Sequence, residues 1–189
     1  VGQAGEAERA AVLPLLGRTG VPQAWDMIQD ALASPTSEVF EAGVRGLANW
    51  PDPSVADQLL GLAQGAARTD LRGLALAGLC RTATSPGSMP PPHRLALLKQ
   101  AMKLAPGDDD RRAILEKASL VRLVETPRFV LPYLDQPATS EQACHAVVEL
   151  AHHRGLRLPN KAEFDPALQK VIQVSKEAGI VDRAKKYLE

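Results

Sequence analysis

Apolar residues recur along the chain at the spacing of an α-helix, with partners three or four positions apart, almost throughout. Strict alternation of apolar and polar residues over the length of a strand is nearly absent. Ala, Leu, Glu, Gln and Arg predominate over Val, Ile, Thr and aromatic residues, which also favours helix. The pattern predicts an all-α fold of about eleven helices, most of about 10–16 residues, separated by Pro, Gly, Asp and Ser clusters.

One short pattern returns: a small residue, an apolar residue, two variable positions, a leucine and often a second small residue. It is clearest from Gly43 to Ala48 and from Ala75 to Cys80, and it returns from Ala11 to Leu15 and from Ala146 to Ala151, with a degenerate copy ending at Leu120–Val121. Spacings of 32, 32, 41 and 30 residues separate the anchoring leucines, which are Leu15, Leu47, Leu79, Leu120 and Leu150. A period in this range indicates a solenoid in which stacked helix pairs share one core.

Each repeat divides into two helices at a turn-forming cluster. In the second repeat, Thr36 or Ser37 is expected to cap a first helix that ends near Trp50. Asp52 is expected to cap the next helix, with Pro53 at the first helical position, where its missing N–H costs nothing. Small residues in the first helices let neighbouring helices approach closely, and the leucines fill the space between layers.

Helix pairs with this motif and a Pro-Asp turn resemble HEAT repeats in their short bacterial form. The stretches Leu47–Asp52, with Leu59 and Leu60 after it, and Pro132–Asp135 are similar to repeat domains in large multidomain bacterial proteins, beside sugar-active or haem-binding modules. The resemblance implies a right-handed α-α superhelix of about five helix pairs with a C-terminal capping helix. It implies a single domain over residues 1–189, excised from a longer protein, and it is compatible with an extracytoplasmic, periplasmic location.

Two segments depart from the repeat. The proline-rich stretch Thr84–Pro92 is predicted to be a stiff, exposed loop, with a polyproline docking site as the alternative. His153–Asp165 is predicted to be a longer link before a C-terminal helix. In the final helix, charged residues such as Lys176, Glu177 and Arg183 suit a capping element that faces water.

Composition narrows the function classes. The chain has 189 residues, and its 22 basic and 22 acidic residues give a net charge of zero, which argues against a nucleic-acid partner. The longest apolar stretches, such as Gly73–Cys80, are far shorter than the roughly 20 residues that span a bilayer, so no membrane partner is expected. Two cysteines do not build a disulfide framework. The chain begins at Val1 without an initiator Met, which favours a piece of a longer protein.

Few residues in the sequence are candidates for catalysis or metal binding. His145, Glu149 and His152 share one helix face, but the two histidines are separated by about 10 Å along the axis, too far to bind one ion together. A solvated polar face is therefore expected there. Cys80 and Cys144 occupy packing positions and are expected to be inert. The run Asp108–Asp110 is expected to cap a helix rather than to bind calcium.

The sequence predicts a non-catalytic scaffold or protein-interaction module, with no cofactor and no metal. An accessory domain that contacts carbohydrate, or a sugar-active or haem-binding module in the same chain, is the alternative; an all-helical metalloenzyme is a third possibility. Trp25 and Trp50 are expected in the core or between repeats. The second helices are expected to line the concave face of the solenoid. The interaction candidates there are Gln23, Asp26, Asp57, Gln58, Gln64, Lys99 and Lys103.

Overall fold

The computed structural model describes residues 2–85 and 89–189, without the side chains of residues 2–4, 6, 7 and 9. These residues form α-helices, short 3₁₀ turns and loops, and they contain no strand, so the all-α prediction is confirmed. No helix among them is both long and apolar enough to cross a membrane. The α-helices are α1 (Gly2–Leu16), α2 (Pro22–Leu32), α3 (Ser37–Ala48), α4 (Ala56–Gly65), α5 (Thr69–Thr84), α6 (Pro91–Leu104), α7 (Asp108–Ala118), α8 (Glu125–Val130), α9 (Ser140–His152), α10 (Arg154–Arg157), α11 (Lys161–Val174) and α12 (Ala178–Leu188).

The helices group into two compact units. Unit 1 comprises residues 1–89 and 104–106, and unit 2 comprises residues 90–103 and 107–189. In unit 1, α3 packs against α1, α2 and α5, and α4 packs against α5. In unit 2, α9 packs against α7, α8, α10, α11 and α12. A single repeat domain over the whole chain stays a prediction.

The core of unit 1 confirms two of the predicted anchors and corrects a third. Leu47 in α3 and Leu79 in α5 are fully buried. Leu15 was expected to be their counterpart in α1, but its side chain is 63% exposed, whereas Leu13 is 3% exposed. Two residues along a helix correspond to a rotation of about 200°, so burial of Leu13 turns Leu15 away from the core. The repeat register in α1 is therefore shifted by two positions from the one predicted.

Glycines bring the helices of unit 1 into close contact. A Cβ atom added to Gly78 of α5 would lie 2.7 Å from both Cα and Cβ of Ala48 in α3. One added to Gly46 would lie 2.9 Å from Cγ1 of Ile28 and 3.1 Å from the carbonyl oxygen of Leu13. Real Cβ atoms essentially never lie within 3.0 Å of another atom, so a side chain at Gly78 would force the helices to shift, and one at Gly46 would displace Ile28. Close packing at small residues was predicted for the motif position of Gly43, where an added Cβ would lie 3.0 Å from Ala31 Cβ; the tighter contacts are at Gly46 and Gly78.

The end of α3 is tied to α5 and to a tryptophan pair. The guanidinium of Arg81 donates hydrogen bonds to the carbonyl oxygens of Ala48 and Trp50, satisfying acceptors at the helix C-terminus. Burial lowers the pKa of Arg81. Trp50 is buried and meets half-buried Trp25 edge to face, with ring centroids 5.2 Å apart. Both tryptophans serve packing, as expected.

The turn between α3 and α4 also follows the sequence. The Asp52 carboxylate accepts a 2.8 Å hydrogen bond from the Ser54 backbone N–H, and Pro53 opens the 3₁₀ turn Pro53–Val55 that leads into α4. Thr36 occupies the N-cap position of α3, but its side chain makes no capping hydrogen bond.

In unit 2 the helix core is centred on Leu150 of α9 and Phe164 and Leu168 of α11, all fully buried. Leu120 was expected to be an anchor here and is 52% exposed. Its position lies beyond the end of α7 at Ala118, so helical spacing no longer predicts which way it faces.

Two segments of unit 2 differ from their predicted form. Asp108–Asp110 occupy the first turn of α7, where acidic residues favour the helix dipole, but no side chain caps the helix. Asp108 and Asp109 instead bind Arg111 and Arg112. The predicted link His153–Asp165 is mostly helical: it contains α10, the 3₁₀ turn Leu158–Asn160 and the start of α11.

The proline-rich stretch is shorter as a loop than predicted, because Pro91 and Pro92 already belong to the first turn of α6. Proline is well tolerated there, since the first helical N–H groups have no partner within the helix. Residues 86–88 lie outside the described residues, so the expected exposure of the loop is a prediction for them.

Candidate interaction groove and polar seam

Unit 1 contains a groove of about 600 Å³ between the N-terminal ends of α3 and α5 and the C-terminal half of α4. Its volume is within the range of ligand sites, about 300–1,000 Å³. Most of its lining is apolar. The lining residues are Phe40, Val44, Gln58, Gly61, Leu62, Gly65, Ala66, Ala67, Arg68 and Leu71.

The floor of the groove is built from three helices. Val44 in α3 is buried, and Phe40 one turn before it is half-buried. Leu62 from α4 and Leu71 from the first turn of α5 are also half-buried. Each of the half-buried side chains is partly packed inside unit 1 and partly exposed to the groove. The floor therefore offers an apolar surface that helix packing within unit 1 does not fully cover.

One wall of the groove lacks side chains. Gly61 and Gly65 are four residues apart in α4, so they lie on one side of that helix. A Cβ atom at either position would meet no atom of the described structure within 4 Å, leaving out chain neighbours and the helix backbone itself. Unlike Gly46 and Gly78, these glycines are not required by packing inside unit 1. They leave the backbone of α4 open to close approach from outside.

The rim of the groove carries an ion-pair network. The Arg68 guanidinium binds Asp70 at 2.5 Å and Glu41 at 3.1 Å, and it donates a 3.0 Å hydrogen bond to Ser37 Oγ. Glu41 also binds Arg45 at 2.6 Å. Hydrogen bonds from Arg45 and, secondarily, Arg68 lower the pKa of the Glu41 carboxyl. The positive charge of Arg68 is therefore already matched by carboxylates of unit 1.

Helices α2 and α4 are joined beside the groove. The amides of Gln29 and Gln58 exchange hydrogen bonds of 3.3 and 3.0 Å, and Gln58 also lines the groove. Around this pair, Asp26, Asp30 and Asp57 are exposed. None of the three has an ion-pair partner within the described part of the chain.

Five of the predicted interaction residues lie on α2 and α4. Gln23, Asp26, Asp57 and Gln64 are exposed, and Gln58 is half-buried. Lys99 and Lys103 are exposed on α6 and belong to unit 2, where Lys99 lines a separate hollow of about 330 Å³ with Leu95, Leu123 and others. The predicted set is thus divided between the two units, and Gln58 is its one member that lines the groove.

The polar face of α9 stays in contact with solvent, as predicted: Glu149 and His152 are exposed and His145 is half-buried. Its side chains nevertheless bind the C-terminal segment, which the sequence did not predict. His145 Nε2 lies 3.0 Å from Glu177 Oε2, and Arg183 binds Glu149 at 2.7 Å. His152 Nδ1 lies 3.0 Å from the Tyr187 hydroxyl. We call this row of contacts the polar seam.

The polar seam extends by one turn in each direction. Glu141 accepts hydrogen bonds from Ser175 Oγ at 2.9 Å and from the Lys176 N–H at 2.6 Å. The Arg157 guanidinium lies 4.7 Å from the ring centroid of Tyr187. The seam therefore attaches the last helix to α9, and Glu177 and Arg183 do not simply face water.

Outside the seam, the sequence singled out possible metal ligands and two cysteines. Within the described residues, no three His, Cys, Asp or Glu side chains are grouped so that they could hold a metal ion. Cys80 and Cys144 are both buried and outside any disulfide. Burial, with the nearby Glu141 carboxylate, raises the pKa of the Cys144 thiol to about 12, which disfavours the reactive thiolate.

Sequence reasoning missed the apolar floor and the open wall of the groove. Phe40 and Leu71 match helical spacing in separate helices, but no local pattern shows that they face one hollow. A signal did exist at Gly61, because a glycine inside a helix costs stability and often has a packing or functional reason. Gly65 gives no such signal, since it is the last residue of α4.

Comparisons of the chain with protein-family models, with curated proteins and with solved structures found no match.

Proposed function

We propose that this chain is a non-catalytic helical-repeat module that binds a protein segment in the groove of unit 1. The observation that carries the proposal is the groove itself, which has a volume of about 600 Å³ and an apolar floor. Beside the floor, Gly61 and Gly65 leave the backbone of α4 without side chains. Concave, mostly apolar hollows of this volume are typical of binding sites. The described residues expose no strand edge, so addition of a peptide strand to a sheet is not available here.

The arrangement behind the groove is proposed to be a HEAT-like right-handed α-α superhelix. Within unit 1, support comes from the packing of α1 on α3 and of α3 on α5, and from the 32-residue interval between Leu47 and Leu79. In such a stack each helix pair contacts only its neighbours, and the successive pairs build an extended binding surface.

The absence of catalysis is part of the proposal and has a physical argument. An active site needs unlike polar groups that converge on one point. In the polar seam, the described polar side chains are engaged with one another in a row along α9, residues 175–177 and α12, and the groove floor is apolar. Both arrangements suit binding and packing better than proton transfer or nucleophilic attack.

A peptide-display selection tests the proposal. Peptides selected on the wild-type chain should lose binding to Gly61→Leu, because the new side chain enters the groove. Since a Cβ at Gly61 meets no neighbour, the variant should fold normally and gain helix stability.

Gly179→Leu is the matched control. It makes the same change at an exposed glycine of α12 in unit 2, where a Cβ atom also meets nothing within 4 Å in the described structure. Selected peptides should bind this control as well as wild type. Peptides that bind Gly61→Leu and wild type equally would contradict the groove as the binding site.

A further inference from the structure

We propose that the occupant of the groove is a cationic amphipathic helix from a protein partner, an inference that rests on the proposed function. The apolar side of the partner helix would lie on the groove floor. Its Lys and Arg side chains would reach the carboxylates of α2 and α4. Amphipathic helices bind apolar grooves in this way, through residues spaced three and four apart.

The first argument is the charge of unit 1. Its residues include nine carboxylates, six arginines and no lysine. Most of the described arginines are already engaged: Arg45 and Arg68 bind carboxylates, whereas Arg72 and Arg81 donate to backbone carbonyl oxygens. The unit therefore has an acidic excess that its own cations do not neutralise.

The second argument is the position of that excess. Asp26 and Asp30 are four residues apart in α2, and Gln29 lies between them in the sequence. Gln29 is hydrogen-bonded to Gln58, which lines the groove, and Asp57 directly precedes Gln58 in α4. Asp26 and Asp57 thus flank the Gln29–Gln58 pair beside the groove, whereas Asp30 lines a second hollow with Ala10 and Leu13. These unpaired carboxylates complement a partner that is apolar on one side and basic on the other.

The third argument is the open wall of α4. Gly61 and Gly65 allow another backbone to approach α4 as closely as α5 approaches α3 at Gly78. Small residues at helix interfaces permit such close packing, and an incoming helix can use a wall of two glycines spaced by one turn. An extended peptide would gain less here, because the described helices offer it no ladder of backbone partners.

The test uses three synthetic helical peptides with the same leucine stripe. Their opposite face carries Lys, Gln or Glu. Binding to the full chain is measured by fluorescence anisotropy at low and high salt. The Lys peptide should bind about tenfold or more tightly than the Gln peptide at low salt, and the Glu peptide should bind weakest. At about 1 M salt, where the Debye length is about 3 Å, the three affinities should converge.

Two variants place the binding site. Gly61→Leu should abolish binding of the Lys peptide by filling the groove. The triple variant Asp26→Asn, Asp30→Asn, Asp57→Asn should weaken Lys-peptide binding about tenfold while leaving Gln-peptide binding unchanged. A matched triple variant in unit 2, Glu125→Gln, Asp182→Asn, Glu189→Gln, removes the same number of exposed carboxylates outside any described ion pair and should change neither affinity.

The outcomes distinguish a failure of the cationic partner from a failure of the groove as a binding site. If the Gln or Glu peptide binds as tightly as the Lys peptide and Gly61→Leu blocks them all, the groove is a binding site and the cationic partner is wrong. If the Lys peptide binds but Gly61→Leu leaves its affinity unchanged, both the inference and the groove as its site fail. A Gly61→Leu variant that abolishes self-association of the chain would identify a second copy as the occupant and overturn the inference.

Discussion

Replacing Gly78 by alanine adds one methyl group at the closest contact between α5 and α3. The new Cβ atom would lie 2.7 Å from Cα and Cβ of Ala48 and 3.2 Å from its carbonyl oxygen. Because the opposing atoms belong to the backbone and to a side chain without rotamers, no flexible group can move aside. The two helices must separate or shift for the methyl group to fit.

The magnitude follows from two opposing effects. Alanine is favoured over glycine inside a helix by about 1 kcal/mol. Overpacking a close contact typically costs about 1–3 kcal/mol, and a contact against backbone belongs at the upper end or above. The Gly78→Ala variant should therefore lose about 1–2 kcal/mol of unfolding free energy or more.

Gly61→Ala is the matched control in the same unit. Its Cβ atom would meet nothing within 4 Å in the described structure, so only the helix preference remains. We expect this variant to gain about 0.5–1 kcal/mol. Urea denaturation followed by far-ultraviolet circular dichroism gives both values, provided that the slope of unfolding free energy against urea is unchanged.

If α5 and α3 are in this close contact, Gly78→Ala must lower the free energy of unfolding and Gly61→Ala must raise it. If Gly78→Ala stabilised the chain as much as Gly61→Ala, α5 and α3 would not be in the close contact described. The glycine-mediated stacking of unit 1 would then be wrong.

Three further outcomes test the packing and the electrostatics. Leu79→Ala should cost about 2–5 kcal/mol because the side chain is fully buried, whereas Leu15→Ala should change stability by less than about 0.5 kcal/mol; equal effects in urea denaturation would contradict the core assignment. The pKa of Glu41 is lowered from 4.5, chiefly by its hydrogen bond to Arg45. The Glu41 carboxylate therefore stabilises the fold at pH values above its unfolded pKa, and this stabilisation is lost as the pH falls through its folded pKa. Glu41→Gln should therefore weaken the loss of stability on acidification below about pH 5, and an unchanged acid profile would refute the pairing. The Cys144 thiol should react with a thiol reagent at pH 8 only after denaturation, since its pKa is raised to about 12 and it is fully buried; fast labelling of the folded chain would show that α9 is open there.

Local sequence patterns predicted the helices and part of the core, because helical spacing is a property of neighbouring residues. Leu47, Leu79 and Leu150 are buried where the repeat placed them. The prediction that Leu15 is buried was wrong because the motif was aligned two residues away from the buried Leu13. The prediction for Leu120 was wrong because α7 ends before this residue.

The polar seam and the groove depend on contacts between distant segments. His145 meets Glu177 across 32 residues, and His152 meets Tyr187 across 35. No spacing within α9 shows that residues of the C-terminal segment bind its polar side chains. The groove floor likewise combines Phe40 and Leu71 from helices whose relative position the sequence pattern does not give.

The groove as a protein-binding site is tested most directly by amide chemical shifts of the isotope-labelled chain during titration with the Lys-faced helical peptide. We predict that the largest changes appear at Gly61, Gly65 and Leu71, with smaller changes at Asp26 and Asp57. Changes confined to α9 and α12, or spread evenly over both units, would contradict the proposal that unit 1 binds a partner through this groove.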